Sequence, residues 1–280
     1  MIKSILLCTD GSPHGDIAAQ YAIYLSQQLK ARLLGLHVLD SRMLEGPLMA
    51  DISGWIGAQP YGAQLQQFRD LMQRKGETVI QAFNAKCTEA GITPESWIKM
   101  GHTPAVILDE EVRAELVVLG QQGEHAEWIG EFMGSTGERV VRHSVKPCLI
   151  TSDTFRPINR ILAGYDGSGH ASQALHEAVE LAMALKVELV VITAAESEQE
   201  DRAQQISRDA ADLVKAHDYS ALTMVVKGQP ADALIEHARD ENCGLIVVGA
   251  YGHTRIREMI IGSTTTQIIH KSHLPVMLVR

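Results

Sequence analysis

The sequence lacks the motifs that mark several common enzyme classes and membrane proteins. It contains no G-x4-G-K-[ST], H-E-x-x-H or G-x-S-x-G motif, and no residue stands out as a general base for hydrolysis. No apolar run approaches the ~18 residues of a transmembrane helix, and Met1 leads directly into a strand-like segment without a signal-peptide pattern. We therefore expect a cytoplasmic protein without membrane contact and without evident catalytic residues.

Paired cysteines and basic tracts are missing as well. The four cysteines, Cys8, Cys87, Cys148 and Cys243, are scattered and form no C-x-x-C pair, which indicates reduced structural thiols and no metal site. The formal charge is −9, and no run of Lys or Arg interrupts it. Because an acidic chain repels phosphate backbones, we expect no binding to DNA or RNA.

What the sequence does contain is an internal repeat. The segment that begins at Ser4 and the segment that begins at Arg160 align without a gap across a strand, a helix and a second strand. Asp10 corresponds to Asp166 in this alignment, at an offset of 156. Repeats of this length are duplicated domains, so a chain of 280 residues with 45% hydrophobic composition is predicted to hold two.

Each copy alternates short apolar runs with segments of helical periodicity, in the order β-α-β-α-β-α-β-α-β. Right-handed crossovers place such strands in a parallel sheet, so we predict an α/β fold with two doubly wound domains, residues 1–154 and 155–280. The first copy has 27 more residues than the second between the ends of its first and fourth strands, and we predict an insertion at residues 41–64. The apolar side chains of this insertion predict that it packs against another surface.

The most informative stretch is residues 245–266, LIVVGAYGHTRIREMIIGSTTT. A predicted buried strand is followed by Gly249, Gly252 and the pair Gly262 and Ser263, in the spacing G-x2-G-x9-G-S. Small residues and free backbone N–H groups at the N-terminus of a helix suit a phosphate group. The alternative is an ordinary βα connection in which the glycines only make turns; the full spacing favours the phosphate site.

This spacing, the early strand that runs into AGYDGSGHASQAL and the earlier copy of the whole pattern closely resemble the universal stress protein family over the entire chain. The resemblance implies a five-stranded sheet of order 3-2-1-4-5 in each domain and binding of ATP, with or without Mg²⁺, or of AMP or ADP. It also implies pairing of the two domains through their last strands and leaves a homodimer open. The residues that it assigns to the nucleotide are Asp166, Ala194, Gly249, Gly252, Gly262, Ser263, Thr264 and Thr265. A structural role for Asp166, as an Asx-turn or N-cap carboxylate, is compatible with this assignment.

The first copy departs from the pattern. Ten residues, 124–133, lie between Gly123 and Gly134 and carry a formal charge of −3, whereas the nine residues 253–261 carry +1. At an effective dielectric of ~20, one like charge ~6 Å from a phosphate costs on the order of 2–3 kcal/mol before screening. We therefore predict that only the second copy binds nucleotide tightly. The weaker candidates in the first copy are Asp10, Val38, Gly120, Gly123, Gly134 and Ser135.

Three functions remain open from the sequence. The first is a stress-response regulator that binds ATP in its C-terminal domain and acts as a nucleotide-dependent sensor or adaptor. The second is a slow ATP hydrolase or nucleotidyl-transfer enzyme on the same scaffold, because a fold alone does not fix a function. The third is a module in which residues 41–64 capture a protein or a lipophilic ligand.

Overall fold

The computed structural model describes residues 2–45, 61–123, 135–195, 200–250 and 262–280. Ten strands form one sheet. In chain order the strands are β1 (Ser4–Cys8), β2 (Arg32–Asp40), β3 (Glu95–Gly101), β4 (Leu116–Gly120), β5 (Cys148–Thr151), β6 (Arg160–Gly164), β7 (Glu188–Ala195), β8 (Leu222–Lys227), β9 (Leu245–Gly249) and β10 (Val276–Val279). The helices are α1 (Pro13–Leu29), α2 (Arg42–Glu45), α3 (Tyr61–Glu89), α4 (Thr103–Glu110), α5 (Ser135–His143), α6 (Gly169–Leu185), α7 (Glu200–Lys215), α8 (Pro230–Asp240) and α9 (Ser263–Lys271).

The strand order is β3-β2-β1-β4-β5-β10-β9-β6-β7-β8. All neighbouring strands within one half are parallel, and each half has the order 3-2-1-4-5 that the resemblance implied. The predicted α/β fold with two doubly wound units is therefore confirmed. The order reverses between β1 and β4 and between β6 and β9, which opens a crevice at the C-terminal ends of these strands.

The strands are apolar on both faces because helices cover both faces of the sheet. Alternate residues of a strand point to opposite sides: Ile5 and Leu7 join one core cluster, and Leu6 joins the other. The first cluster includes residues of α1, α3, α6 and α7, and the second includes residues of α4, α5, α8 and α9. The four helices that follow the crevice strands thus divide between the faces, with α1 and α6 on one side and α5 and α9 on the other.

Equivalent helices of the two copies also end in the same way. Helices α1 and α6 end at Lys30 and Lys186, which have φ values of 54° and 58° in the left-handed region. The backbone N–H of Lys30 donates to the carbonyl of Ser26, and that of Lys186 donates to the carbonyl of Ala182. Each bond satisfies a carbonyl that the end of the helix would otherwise leave without a partner.

The two halves share the sheet through their last strands. Strands β5 and β10 are antiparallel, with Leu149 opposite Met277, as the resemblance implied. The segment between the halves packs on α1, where the ring of Phe155 lies 4.9 Å from that of Tyr21, centroid to centroid. The hydroxyl of Tyr21 also accepts a hydrogen bond from the backbone N–H of Arg156 at 3.1 Å. The boundary between residues 154 and 155 lies inside this packed segment and stays a prediction.

The first-copy insertion is described only at its margins. Helix α2 follows β2, and α3 begins at Tyr61, four residues before the predicted start near Leu65. Residues 46–60 lie outside the described residues, so the predicted packing of the insertion stays a prediction. Within the described ranges, no helix combines the length and the apolarity required to cross a membrane.

Candidate functional site

The crevice of the second half lies between the C-terminal ends of β6 and β9, and its counterpart lies between those of β1 and β4. Ala163 is opposite Val247 in the first pair of strands, and Cys8 is opposite Leu119 in the second. In each half the Asp-Gly-Ser turn follows one strand of the pair, and the glycine-rich loop follows the other. The topology therefore brings both motifs to the same edge of the sheet.

Asp166 is exposed at this edge, in a turn that fixes its carboxylate. Its Oδ1 accepts a hydrogen bond from the backbone N–H of Ser168 at 2.9 Å, and the intervening Gly167 has a φ of +79° that suits glycine. The N-cap of α6 is Ser168, whose Oγ accepts from the N–H of Ala171 at 3.2 Å. Asp166 is thus an Asx-turn residue, and its interpretation as an N-cap is wrong. The first half repeats both hydrogen bonds.

Gly249 and Gly120 lie so close to the first turn of a helix that neither leaves room for a side chain. A Cβ on Gly249 would be 2.9 Å from the carbonyl carbon of His170 and 3.0 Å from the nitrogen of Ala171. A Cβ on Gly120 would be 2.9 Å from the carbonyl carbon and from the carbonyl oxygen of His14. The resemblance assigns both glycines to the nucleotide. Both positions also require glycine for packing, because α6 and α1 pack directly on these strand ends.

Helix α9 begins immediately after Gly262, at the edge of the sheet where β9 ends. The N–H of Gly262 donates to the carbonyl of Ala250 at 3.2 Å, which ties the start of the helix to the end of the strand. Gly262 is the N-cap, and no side-chain hydrogen bond from the described residues caps the helix. The first N–H groups of a helix have no partner within it, so the backbone of Ser263 and Thr264 offers donors at the positive end of the helix dipole. Ser263 is exposed, and Thr264 is half-buried.

Thr265 has a structural role at the same place. Its side chain is buried, and its hydroxyl donates to the carbonyl of Gly249 at 3.0 Å. Together with the bond from Gly262, this contact holds α9 on the end of β9. The Thr265 hydroxyl is therefore used as a donor within the fold, and the nucleotide contact that the resemblance gives this residue stays a prediction.

Ala194 and Val38 occupy equivalent places near the ends of β7 and β2. Both are half-buried and pack against the same core cluster. Each follows a buried polar residue, Thr193 or His37. The Nδ1 of His37 lies 2.8 Å from the carbonyl oxygen of Thr9, whereas the Thr193 hydroxyl has no hydrogen-bond partner in the part of the chain that the structure describes. The polar groups beside the two crevices are therefore not equivalent.

In the first half, the loop after β4 approaches the Asp-Gly-Ser turn. A Cβ on Gly123 would lie 3.1 Å from Oδ2 of Asp10, so these two candidates are neighbours. Ser135 is the first residue of α5. Gly134 and Gly252 lie outside the described residues, as do the loop segments 124–133 and 253–261 on which the charge comparison rests.

The start of α5 differs chemically from that of α9. Gly137 stands at the position of Thr265, so the first half has no side chain there to bond the end of β4. Glu138 follows and forms an ion pair with Arg142 one turn further along the helix. A carboxylate in the first turn interacts favourably with the helix dipole, and it competes with a phosphate for the same positive end.

Comparisons with known proteins agree with this architecture. The model of the universal stress protein family matches residues 1–152 and again residues 157–280. The chain belongs to this family. A universal stress protein of Synechocystis sp. is 29% identical over 290 residues and is covered completely, as is this chain. A universal stress protein of Mycolicibacterium smegmatis is 25% identical over 297 residues, with 99% of this chain and 96% of the relative covered. The crystal structure of a universal stress protein from Archaeoglobus fulgidus matches with a TM-score of 0.77 at 21% identity. The match covers 99% of this chain and 98% of that protein's chain.

A histidine that is absent from the predicted site residues borders each crevice of this universal stress protein. His14 and His170 are the second residues of α1 and α6, and the Cβ of each would be 3.1 Å from a Cβ on Gly120 or Gly249. Because Gly120 and Gly249 end the crevice strands β4 and β9, the Cβ atoms of both histidines lie beside the crevices. The signal was available in the sequence, because the two histidines are equivalent at the offset of 156.

The cysteines contribute no nucleophile to either crevice. All four, Cys8, Cys87, Cys148 and Cys243, are buried and free. Burial raises the pKa of Cys87 and of Cys148 to about 12 and that of Cys243 to about 11, and it raises the pKa of Cys8 further. Thiols with such pKa values stay protonated near neutral pH, and a protonated thiol is a poor nucleophile. These properties agree with the predicted role as reduced structural thiols.

Proposed function

We propose that this protein binds an adenine nucleotide, ATP in the first place, in its C-terminal crevice and acts in the cytoplasm as a nucleotide-dependent sensor or adaptor. The observation that carries the proposal is the start of α9. It begins at a glycine, has no side-chain cap from the described residues and is tied to the end of β9, beside β6. Unpaired N–H groups at the positive end of a helix are the donors that phosphate oxygens require.

The remaining candidates divide between the two ends of a nucleotide. Asp166, fixed by its Asx-turn, supplies carboxylate oxygens that accept hydrogen bonds from adenosine, and Ala194 offers a half-buried apolar surface. Ser263 and Thr264 supply hydroxyls and backbone N–H groups for the phosphates. Mg²⁺ prefers phosphate, water and carboxylate oxygens and would enter with the phosphates of ATP. AMP and ADP fit the same groups with fewer phosphate contacts.

We propose further that the first crevice binds nucleotide weakly. Glu138 places a carboxylate in the first turn of α5, and Gly137 removes the hydroxyl that holds the equivalent helix in the second half. The predicted −3 charge of the loop before α5 acts in the same direction. We therefore expect one nucleotide per chain.

A pair of glycine variants tests the site assignment. Gly262→Val adds a branched side chain where the phosphates approach, and Gly134→Val makes the corresponding change in the first half. Calorimetry should give one ATP per unmodified chain, affinity at least about tenfold weaker in Gly262→Val, and little change in Gly134→Val. Mass analysis of the nucleotide released from the denatured protein identifies the natural ligand. Two equivalent sites, or unchanged affinity in Gly262→Val, would remove the assignment.

A second measurement separates a regulator from an enzyme. We expect steady-state phosphate release well below the ~1 s⁻¹ low end of typical enzymes. Asp166→Asn keeps an oxygen for the Asx-turn and removes the charge, and Asp10→Asn is its matched control. A regulator should show weaker nucleotide affinity in Asp166→Asn without a specific loss of turnover. Turnover of an enzymatic size that disappears in Asp166→Asn, with affinity retained, would favour the hydrolase.

A further inference from the structure

Two imidazoles from different elements of the second half meet on the surface, on α6 and beyond the end of α7. His176 is exposed on α6, and His217 is half-buried in the turn after α7. Nδ1 of His176 lies 2.6 Å from Nε2 of His217, and the ring centroids are 4.8 Å apart at an interplanar angle of 61°. The two nitrogens therefore face each other within hydrogen-bond distance.

The backbone on both sides of this pair is fixed. Neighbours of His176 on α6, among them Leu175 and Val179, are buried in the core. The N–H of His217 donates to the carbonyl of Val214 at 3.1 Å, and the next residue, Asp218, adopts a left-handed φ of 54°. The two rings are thus presented by ordered segments, and this lowers the cost of holding them together around a ligand.

The separation of the two nitrogens is close to that of two ligands on one metal ion. With Zn–N bonds of about 2.0–2.1 Å, two imidazole nitrogens are about 2.9 Å apart at a right angle and about 3.3 Å apart at the tetrahedral angle. The observed 2.6 Å has to widen by a few tenths of an ångström, and side-chain rotation has to turn both nitrogens from each other toward a common ion. Imidazole is a ligand for zinc, copper and nickel, whereas Mg²⁺ and Ca²⁺ prefer oxygen.

We propose that His176 and His217 form a surface site for one borderline transition-metal dication, Zn²⁺, Cu²⁺ or Ni²⁺. In the described part of the chain no group of three or more His, Cys, Asp or Glu side chains is arranged to hold a metal, so the site has two protein ligands and water in its open positions. The metal takes the place of the hydrogen bond and links α6 to the end of α7. The ring that donated this bond keeps its proton on its other nitrogen, so both rings bind as neutral imidazoles. In the first half, the position of His176 is occupied by Gln20, so the site belongs to the second half alone.

The test uses the full chain, treated with a chelator and dialysed into a buffer that does not bind metals, and Zn²⁺ as the probe. Calorimetric titration of the unmodified protein should show one saturable site per chain. His176→Gln and His217→Gln should each weaken Zn²⁺ binding at least about tenfold, because a single imidazole remains. The matched control, His273→Gln, removes an exposed histidine in the turn after α9 and should leave binding unchanged.

Two readouts distinguish a metal site from a simple hydrogen bond between the rings. Zn²⁺ should shift the imidazole NMR signals of these two residues at lower concentrations than it shifts those of the other ten histidines. A large excess of Mg²⁺ should not displace the bound Zn²⁺. Circular dichroism verifies that the surface variants are folded. No saturable Zn²⁺ binding below about 1 mM, or equal binding in both variants and the control, would overturn the proposal and leave the pair as a hydrogen bond only.

Discussion

Helices α5 and α9 begin at equivalent places with different side chains. The second half has Thr265 in the first turn, tied to the end of β9, where the first half has Gly137. The next residue of the first half, Glu138, adds a carboxylate at the end of the helix to which a phosphate would bind, and Arg142 compensates it only in part. The comparison shows that duplication preserved the strand order and the turns, whereas the chemistry at the helix N-terminus diverged.

The largest effect should come from the feature that both halves share, the glycine that packs under a helix. Gly249→Ala and Gly120→Ala each force a Cβ to within about 3 Å of helix backbone, and overpacking of this kind costs about 1–3 kcal/mol. We expect each to lower the Tm by roughly 2–6 °C in thermal unfolding. The control is Gly169→Ala, because a Cβ there would meet no atom within 4 Å. A negligible shift at Gly120 alone would show that the packing requirement is confined to the second half.

The next effect separates a residue that supports the crevice from one that faces it. Thr265→Val keeps the shape of the side chain but removes the hydroxyl that donates to Gly249, which should cost about 1 kcal/mol and about 2 °C in Tm. Thr264→Val should leave the Tm nearly unchanged and should weaken ATP binding severalfold in calorimetry. The opposite pattern, with stability lost at Thr264 and affinity lost only at Thr265, would exchange the two roles.

The repeat predicted the architecture because its signals are local. Strand length, helical spacing and the Asp-Gly-Ser turn each depend on a few neighbouring residues, and the aligned copies reinforced them. The packed segment around Phe155 was harder to foresee, because its contacts with Tyr21 join residues more than 130 positions apart. Periodicity carries no information on such pairs.

The candidate site was predictable in place but not in detail. The glycine spacing located the crevice, yet it did not reveal that Gly249 packs on His170 or that the Thr265 hydroxyl is used within the fold. A glycine that contacts a ligand and one that contacts a helix look alike in a sequence. The two roles differ only in which atoms lie within about 4 Å, and that depends on the tertiary structure.

A smaller effect tests the charge difference between the crevices. In the Gly262→Val background, which isolates the first crevice, Glu138→Gln should strengthen residual ATP binding about two- to fivefold at low salt. The gain should decline as salt rises, because exposed charges are screened over about 8 Å at physiological ionic strength. Glu89→Gln, at the exposed end of α3, is the control. If the gain is absent at low salt, the weak binding of the first crevice is due mainly to the loop glutamates or to the extra loop residue. The combined change of Glu124, Glu127 and Glu131 to Gln tests whether the loop glutamates are the cause.

The smallest effect concerns one pair of equivalent positions, Tyr21 of α1 and Glu177 of α6. Tyr21 is buried, and its hydroxyl bonds the segment between the halves, whereas Glu177 is a half-buried carboxylate at the same place in the repeat. Burial raises the pKa of Glu177, and the charge of Glu180 acts in the same direction. The ionised form is therefore disfavoured in the folded protein, and it reduces stability at neutral pH.

Replacing this carboxylate should therefore stabilise the protein, and the gain should depend on pH. Because the pKa of Glu177 is higher in the folded state than in the unfolded state, the wild-type protein gains stability as the pH falls through the folded-state value and the group takes up a proton. Glu177→Gln mimics the protonated form, so it should raise the Tm by about 1 °C at pH 7 and by progressively less at acidic pH. Glu236→Gln on α8 makes the same chemical change at another position and is the matched control. If the gain in Tm stays constant from neutral to acidic pH, packing is its cause. If Glu177→Gln lowers the stability at pH 7, the charge of Glu177 is compensated in the folded protein.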